Sequence, residues 1–214
     1  MIYSYNEDYV DEVMENIGCM MEHAVYDLAY APEEFYSLFV SSEISEEVAN
    51  GNPKYTVGMS GIELAREVLF ECTGRRENKV PTYHIEKSAE YWTGWILAYY
   101  QWKKCLSFER INTAIPFHEV MKTYPTLHEA DIEKAVDVFD EKYKAYKSAT
   151  ITELARIRKL RGLSQKELSE RSGVALRMIQ LYEQRQNDIS KAQVDTVMRL
   201  SRTLSVRIEK ILDI

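Results

Sequence analysis

Residues 162–183 read GLSQKELSERSGVALRMIQLYE, and two helices with a tight break between them are written into that stretch. Gly162 suits the left-handed position that closes a preceding helix. Ser164 and Glu167 stand at the spacing of a capping box, in which each side chain takes the other residue's free backbone N–H. Leu163 before the cap and Leu168 at the fourth helical position form a hydrophobic staple that fixes how the chain enters the helix. Small Ser169 lets the next helix cross closely, and Gly173 supplies the turn. Ala175–Gln184 then reads as a second helix, with Ile179 and Tyr182 facing a core.

The flanks extend the pattern. Upstream, Thr150 and Glu153 are spaced to cap a helix that turns Leu154 and Ile157 inward and ends at Gly162. Downstream, Ser190 and Gln193 form a box ahead of a helix expected to bury Val194, Val197, Met198 and Leu204. A last short helix holds Ile208, Ile211 and Leu212. Residues 150–214 are thus expected to form a five-helix domain.

In register across this region stand Leu-Ser-Gln, Glu-Leu, Gly-Val and Ile-x-x-Tyr-Glu, and with them the sequence resembles the Cro/repressor-type (XRE) helix-turn-helix family. The resemblance implies double-stranded DNA as a partner, with the helix over 175–184 lying in the major groove. Its outward side chains Leu176, Arg177, Gln180, Leu181 and Gln184 are then the candidates for base edges. Arg177 has the donors for a bidentate guanine contact, Gln180 those for adenine, and Leu176 can touch a thymine methyl. Ser164, Gln165, Arg185 and Asn187 are the candidate DNA-backbone contacts, Gln165 because it matches a phosphate-binding glutamine of the family. Arg158 and Glu183 match a pair that braces the first and third helices. Arg171, Arg199 and Arg202 are read as solvated surface. Three positions depart from the family pattern: Ala175 where a capping Ser or Thr is common, and Arg185 and Ser205 where glycine is usual.

Charge divides the chain along the same line. Its net charge of −7 resolves into +5 for residues 151–214 and −12 for residues 1–150. The basic part can approach a polyanion that repels the acidic part. All Trp and Phe precede residue 150, so a boundary is expected near Lys147–Thr150, giving domains 1–149 and 150–214.

The acidic domain reads as helical too, making the protein all-α. No stretch alternates as a strand does, whereas apolar residues recur at steps of three and four. Val10, Val13, Met14, Ile17, Met21, Ala24 and Leu28 make one stripe, which Pro32 is expected to stop before a short helix with Phe35, Leu38 and Phe39 inward. Ser60 and Glu63 form a box for a helix ending at Gly74, and the polar segment Arg75–Tyr83 reads as a flexible loop. Trp92, Trp95, Tyr99 and Trp102 fall on one helical face, with Gly94 allowing close packing. Short helices bounded by Pro116 and Pro125 follow. Thr126 and Glu129 are spaced to cap a helix carrying Ile132, Val136, Phe139, Tyr143 and Tyr146.

Catalytic and metal patterns are missing from the sequence. His118-Glu119 and His128-Glu129 begin an H-E-x-x-H but continue to Lys122 and Ile132, which removes the second histidine ligand. No phosphate-binding G-x-x-x-x-G-K-[ST], no G-x-S-x-G and no paired cysteine spacing occurs; Cys19, Cys72 and Cys105 read as buried thiols. The expectation is a cytoplasmic, homodimeric transcriptional regulator without enzymatic activity, cofactor, metal or membrane segment. Two roles stand open for residues 1–149. One is a protein-partner domain like that of an antitoxin which, with its toxin, represses its own operon. The other is a small-molecule sensor with Trp92, Trp95, Tyr99 and Trp102 as its face.

Overall fold

The computed structural model describes residues 3–82 and 86–212, and every described element is helical. The chain divides into two compact units, Met1–Tyr143 and Lys144–Ile214.

In the first unit α1 (Val10–Glu22) buries Val13, Met14, Ile17, Met20 and Met21 and continues into a π-helical turn, His23–Asp27. Ala29 at φ +60° then turns the chain. Pro32 does not stop this helix; it is the first residue of α2 (Pro32–Ser41), where its fixed φ is already helical and its missing N–H is not needed. α3 (Glu43–Ala49) and α4 (Pro53–Thr56) follow. α5 (Gly61–Thr73) has the expected Ser60–Glu63 box and closes on Gly74 at φ +70°.

α6 (Ala89–Lys104) is the axis of the unit. Tyr91, Trp92, Ile96, Leu97, Tyr100 and Trp102 are all buried, so its apolar surface reaches well beyond one stripe. α1 packs against both α5 and α6. Two glycines make that approach close: a Cβ on Gly94 of α6 would meet the Ile17 carbonyl oxygen at 2.7 Å, and one on Gly61 of α5 would run into the Asn16 carbonyl. α7 (Phe108–Ala114), α8 (Phe117–Met121) and α9 (Tyr124–Leu127) complete the core with Phe108, Ile111, Phe117 and Val120. α10 (Ile132–Ala149) is not capped by Thr126, which lies inside α9; Asp131 Oδ1 accepts the Glu133 N–H at 2.8 Å instead.

The segment expected as a flexible loop has no helix over residues 75–82, and Tyr83 lies outside the described residues. It is tied down on both sides. Arg66 Nη2 donates to the Lys79 carbonyl at 2.8 Å, Lys79 Nζ donates to the Asp27 carbonyl, and the Thr82 N–H donates to the Asp27 carboxylate at 3.1 Å.

The second unit contains α11 (Glu153–Leu160), α12 (Gln165–Ser172), α13 (Leu176–Glu183) and α14 (Val194–Leu204), with single 3-10 turns at Ile189–Lys191 and Ile208–Lys210. Its separate core gathers Leu154, Ile157, Leu163, Leu168, Ile179, Tyr182, Leu200, Leu204 and Ile211. Two caps differ from expectation. Thr152 rather than Thr150 caps α11, accepting the Ala155 N–H. Ser190 does not start α14: it sits in a 3-10 turn capped by Asp188, and α14 begins after Gln193 without a side-chain cap. Val194, the first residue of α14, is 71% exposed rather than buried because it stands at the end of the helix beyond the core. Residues 213–214 of the expected C-terminal domain lie outside the described residues.

Candidate nucleic-acid interface

The two-helix unit begins with the box predicted from sequence. Ser164 Oγ accepts the Glu167 N–H at 3.1 Å while the Glu167 carboxylate accepts the Ser164 N–H at 2.8 Å, and these bonds hold Glu167 below the usual carboxylate range. α12 ends on Gly173 at φ +68°. The turn is locked by Ser169 Oγ donating to the Val174 carbonyl at 2.7 Å, so α12 and α13 are joined at a fixed angle.

α13 turns Ile179 and Tyr182 into the core and leaves Leu176, Arg177 and Gln184 exposed, with Gln180 and Leu181 half-buried at its side. Neither Arg177, Gln180 nor Gln184 makes a side-chain hydrogen bond or ion pair among the described residues. The hydrogen-bonding capacity of this face is therefore unspent, as a base-reading surface requires. As the departure from the family pattern implies, Ala175 at the N-cap of α13 offers no side-chain bond.

Behind that face Arg158 and Glu183 form a fork, with Nε to Oε1 at 2.6 Å and Nη2 to Oε2 at 2.8 Å. Arg158 Nη1 also donates to the Leu163 carbonyl at 2.6 Å, a third leg that no side-chain pattern in the sequence signals. The adjacent Glu183 carboxylate pushes the Arg158 guanidinium still higher. Gln165 joins this cluster, its Nε2 donating to Glu183 Oε2 at 2.8 Å, which leaves one amide hydrogen and the amide oxygen for another partner.

Beyond α13, Arg185 adopts φ +54°, the left-handed geometry for which glycine is usual, and its Nη1 donates to the Thr150 carbonyl at 2.5 Å. Asn187 is exposed beside it. Ser164, Gln165, Arg185 and Asn187 thus lie at the start of α12 and in the loop after α13, next to the exposed face of α13 in chain order.

The aromatic face suggested by sequence belongs to the other unit. Trp92 and Trp102 are buried there. Trp102 Nε1 donates to the Tyr5 carbonyl at 3.1 Å and its ring stacks on Tyr3 at 4.1 Å, while Trp92 meets Tyr124 edge-on. Trp95 is half-buried, and Tyr99 donates its hydroxyl to Glu133 at 2.8 Å. A concave site of that unit lies elsewhere, around His23 and Asp27; their spacing of one helical turn was the available sequence signal.

Among the described residues no helix is long and apolar enough to cross a membrane. Residues 154–211 match the family model described as helix-turn-helix, so the all-α chain carries an XRE-type helix-turn-helix in its C-terminal part. No curated protein and no solved structure matches the chain.

Proposed function

We propose that this protein is a sequence-specific transcriptional regulator that reads double-stranded DNA with α13. A helix-turn-helix of this family is a DNA-binding regulator domain. The observation that carries the finer reading is the uncommitted row Arg177, Gln180 and Gln184 on a helix braced from behind by Arg158 and Glu183. Rigid support with free donors in front is the arrangement that direct base readout needs. Arg177 takes a guanine, Gln180 an adenine, and Leu176, Leu181 and Gln184 border them. Ser164, Gln165, Arg185 and Asn187 hold the phosphates. Two copies bind as a homodimer on half-sites about one helical turn apart. The chain acts as an autorepressor, and its acidic N-terminal region, at −12, is repelled by DNA and takes a protein partner in the manner of an antitoxin.

Arg177→Ala tests the assignment by fluorescence anisotropy on DNA from the protein's own promoter and on a scrambled duplex of equal length, at about 150 mM salt. The variant loses roughly 1–3 kcal/mol of discrimination between the two duplexes. Equal weakening on both would make Arg177 a phosphate contact. If the unmodified protein does not distinguish the duplexes, the specific-regulator reading fails. For the partner, full-length protein co-expressed with the product of a neighbouring gene should purify as a stoichiometric complex.

A further inference from the structure

The second unit has a cavity of about 240 Å³ between the last turn of α10 and the loop that follows α13. Buried Tyr182 and Ile189 give it an apolar wall. Its polar lining comes from both sides, Lys147 from α10 and Arg185, Asn187 and Ser190 from the loop. The matched helix-turn-helix covers residues 154–211, so Lys147 comes from outside it.

Hydrogen bonds hold the two sides together. The Thr150 N–H and hydroxyl both donate to the Tyr146 carbonyl, at 3.1 and 3.0 Å, and carry the helical turn past Ala149. The Thr150 carbonyl in turn accepts Arg185 Nη1 at 2.5 Å. Lys147, one turn before Thr150, is thereby set against the loop. That loop is fixed as well, since the N–H groups of Gln186 and Asn187 donate to the Leu181 carbonyl at 2.9 and 3.2 Å. One anion lines the cavity. The Asp188 carboxylate accepts the Ser190 hydroxyl at 2.7 Å and the Ser190 N–H at 2.9 Å, and Lys191 Nζ stands 3.7 Å from it. The Ser190 bonds hold Asp188 below the usual carboxylate range, with Lys191 and Lys147 adding to the pull. Lys147, Arg185 and Lys191 together outweigh that single negative charge.

We propose that this cavity seats one phosphodiester of the DNA backbone, held by the Lys147 ammonium with Arg185 and Asn187, so that the end of α10 belongs to the DNA interface. The proposal rests on the reading of DNA by α13 and adds to it a contact from outside the matched segment. A major groove about 12 Å wide has phosphates along both sides of a helix lying in it, and the loop that leaves such a helix meets the backbone. Lysine meets phosphate as a point charge and needs no bidentate geometry. A water takes about 30 Å³, so the volume admits a phosphate group with bridging waters, as protein–DNA interfaces commonly have.

The test compares full-length protein with Lys147→Gln and Lys147→Arg by fluorescence anisotropy, on the own-promoter and scrambled duplexes, between about 50 and 300 mM salt. Lys147→Gln should weaken both duplexes by one factor, roughly fivefold at about 150 mM, and lower the salt slope by about 0.9, while Lys147→Arg restores both. On the promoter duplex, uncharged methylphosphonates replacing single phosphates in turn should reveal one position that costs the parent affinity and costs Lys147→Gln nothing. Equal urea midpoints for the three proteins would place the change in binding rather than folding. An unchanged slope in Lys147→Gln, a loss on the promoter duplex alone, or additive losses at every methylphosphonate position would overturn the proposal while leaving α13 as the reading helix. A parent that binds both duplexes alike, with a slope that depends on Lys147, would instead refute base reading and leave the contact standing. A parent that binds neither duplex refutes both.

Discussion

Arg158 and Glu183, twenty-five positions apart in sequence, meet in a two-bond fork with side chains only 10% and 6% exposed. The pair ties α11 to the end of α13, and Gln165 and the Leu163 carbonyl satisfy further atoms of it. Two ions taken out of water gain little net stability, but removing one strands the other. Arg158→Ala should therefore destabilise the second unit by about 3–5 kcal/mol in urea unfolding followed by hydrogen exchange on α11–α13. Arg158→Met combined with Glu183→Leu should recover most of that loss. A single-variant loss under about 1 kcal/mol would mean that water reaches the pair.

Two positions of the second unit hold residues poorly suited to their backbone. Ala175 occupies the N-cap of α13 at φ −55°, ψ 133° with no side chain to accept a free N–H, and Ser205 closes α14 at φ +54°. Ala175→Ser should add about 0.5–1 kcal/mol by capping, and Ser205→Gly a similar amount by removing the left-handed penalty on Cβ. An unchanged denaturation midpoint in both variants would show that the loops already relax the strain.

The sequence announced a helix start where both halves of a capping box are local, as at Ser60–Glu63 and Ser164–Glu167, which form as expected. The same spacing misled at Thr126–Glu129, Thr150–Glu153 and Ser190–Gln193. Tertiary packing decides between nearby hydroxyls there, and Thr152 prevails because starting at Glu153 turns Leu154, Ala155 and Ile157 inward together. The face of α13 was legible because apolar residues at a helical period leave the polar ones outside. The periodicity of Trp92, Trp95, Tyr99 and Trp102 located α6 but not its surroundings, since burial on several sides depends on which distant helices arrive. The cavity beside Lys147 was invisible for the same reason: it depends on the bond from Arg185 to the Thr150 carbonyl, thirty-five residues earlier in the chain.

Close packing between α1 and α6 rests on a missing methyl group. A Cβ at Gly94 would stand 2.7 Å from the Ile17 carbonyl oxygen and 2.9 Å from Met21 Cγ. The Met side chain can yield, but a helix backbone cannot without moving α1. Gly94→Ala should cost about 1–3 kcal/mol despite the better helix propensity of alanine, measured as a lower urea midpoint of the first unit. A stabilised variant would show that the two helices slide apart at no penalty.

Acid should loosen a contact between α8 and α10. Glu119 accepts from Lys122 Nζ at 2.6 Å and from Lys142 Nζ at 3.1 Å, and these bonds, Lys122 foremost, lower its carboxyl to about 2. A folded value below the unfolded one means that the ionised group favours the folded state. Its contribution is complete above the ordinary glutamate value near 4.5 and disappears as pH falls through about 2. The site is open to solvent, so salt must weaken it; at about 1 M the screening length shrinks to roughly 3 Å. Carbon-detected NMR titration should find the Glu119 carboxyl titrating near 2 at low salt and moving upward in 1 M salt or in Lys142→Gln. A value near 4.5 at low salt would mean that the lysines do not hold these positions in solution.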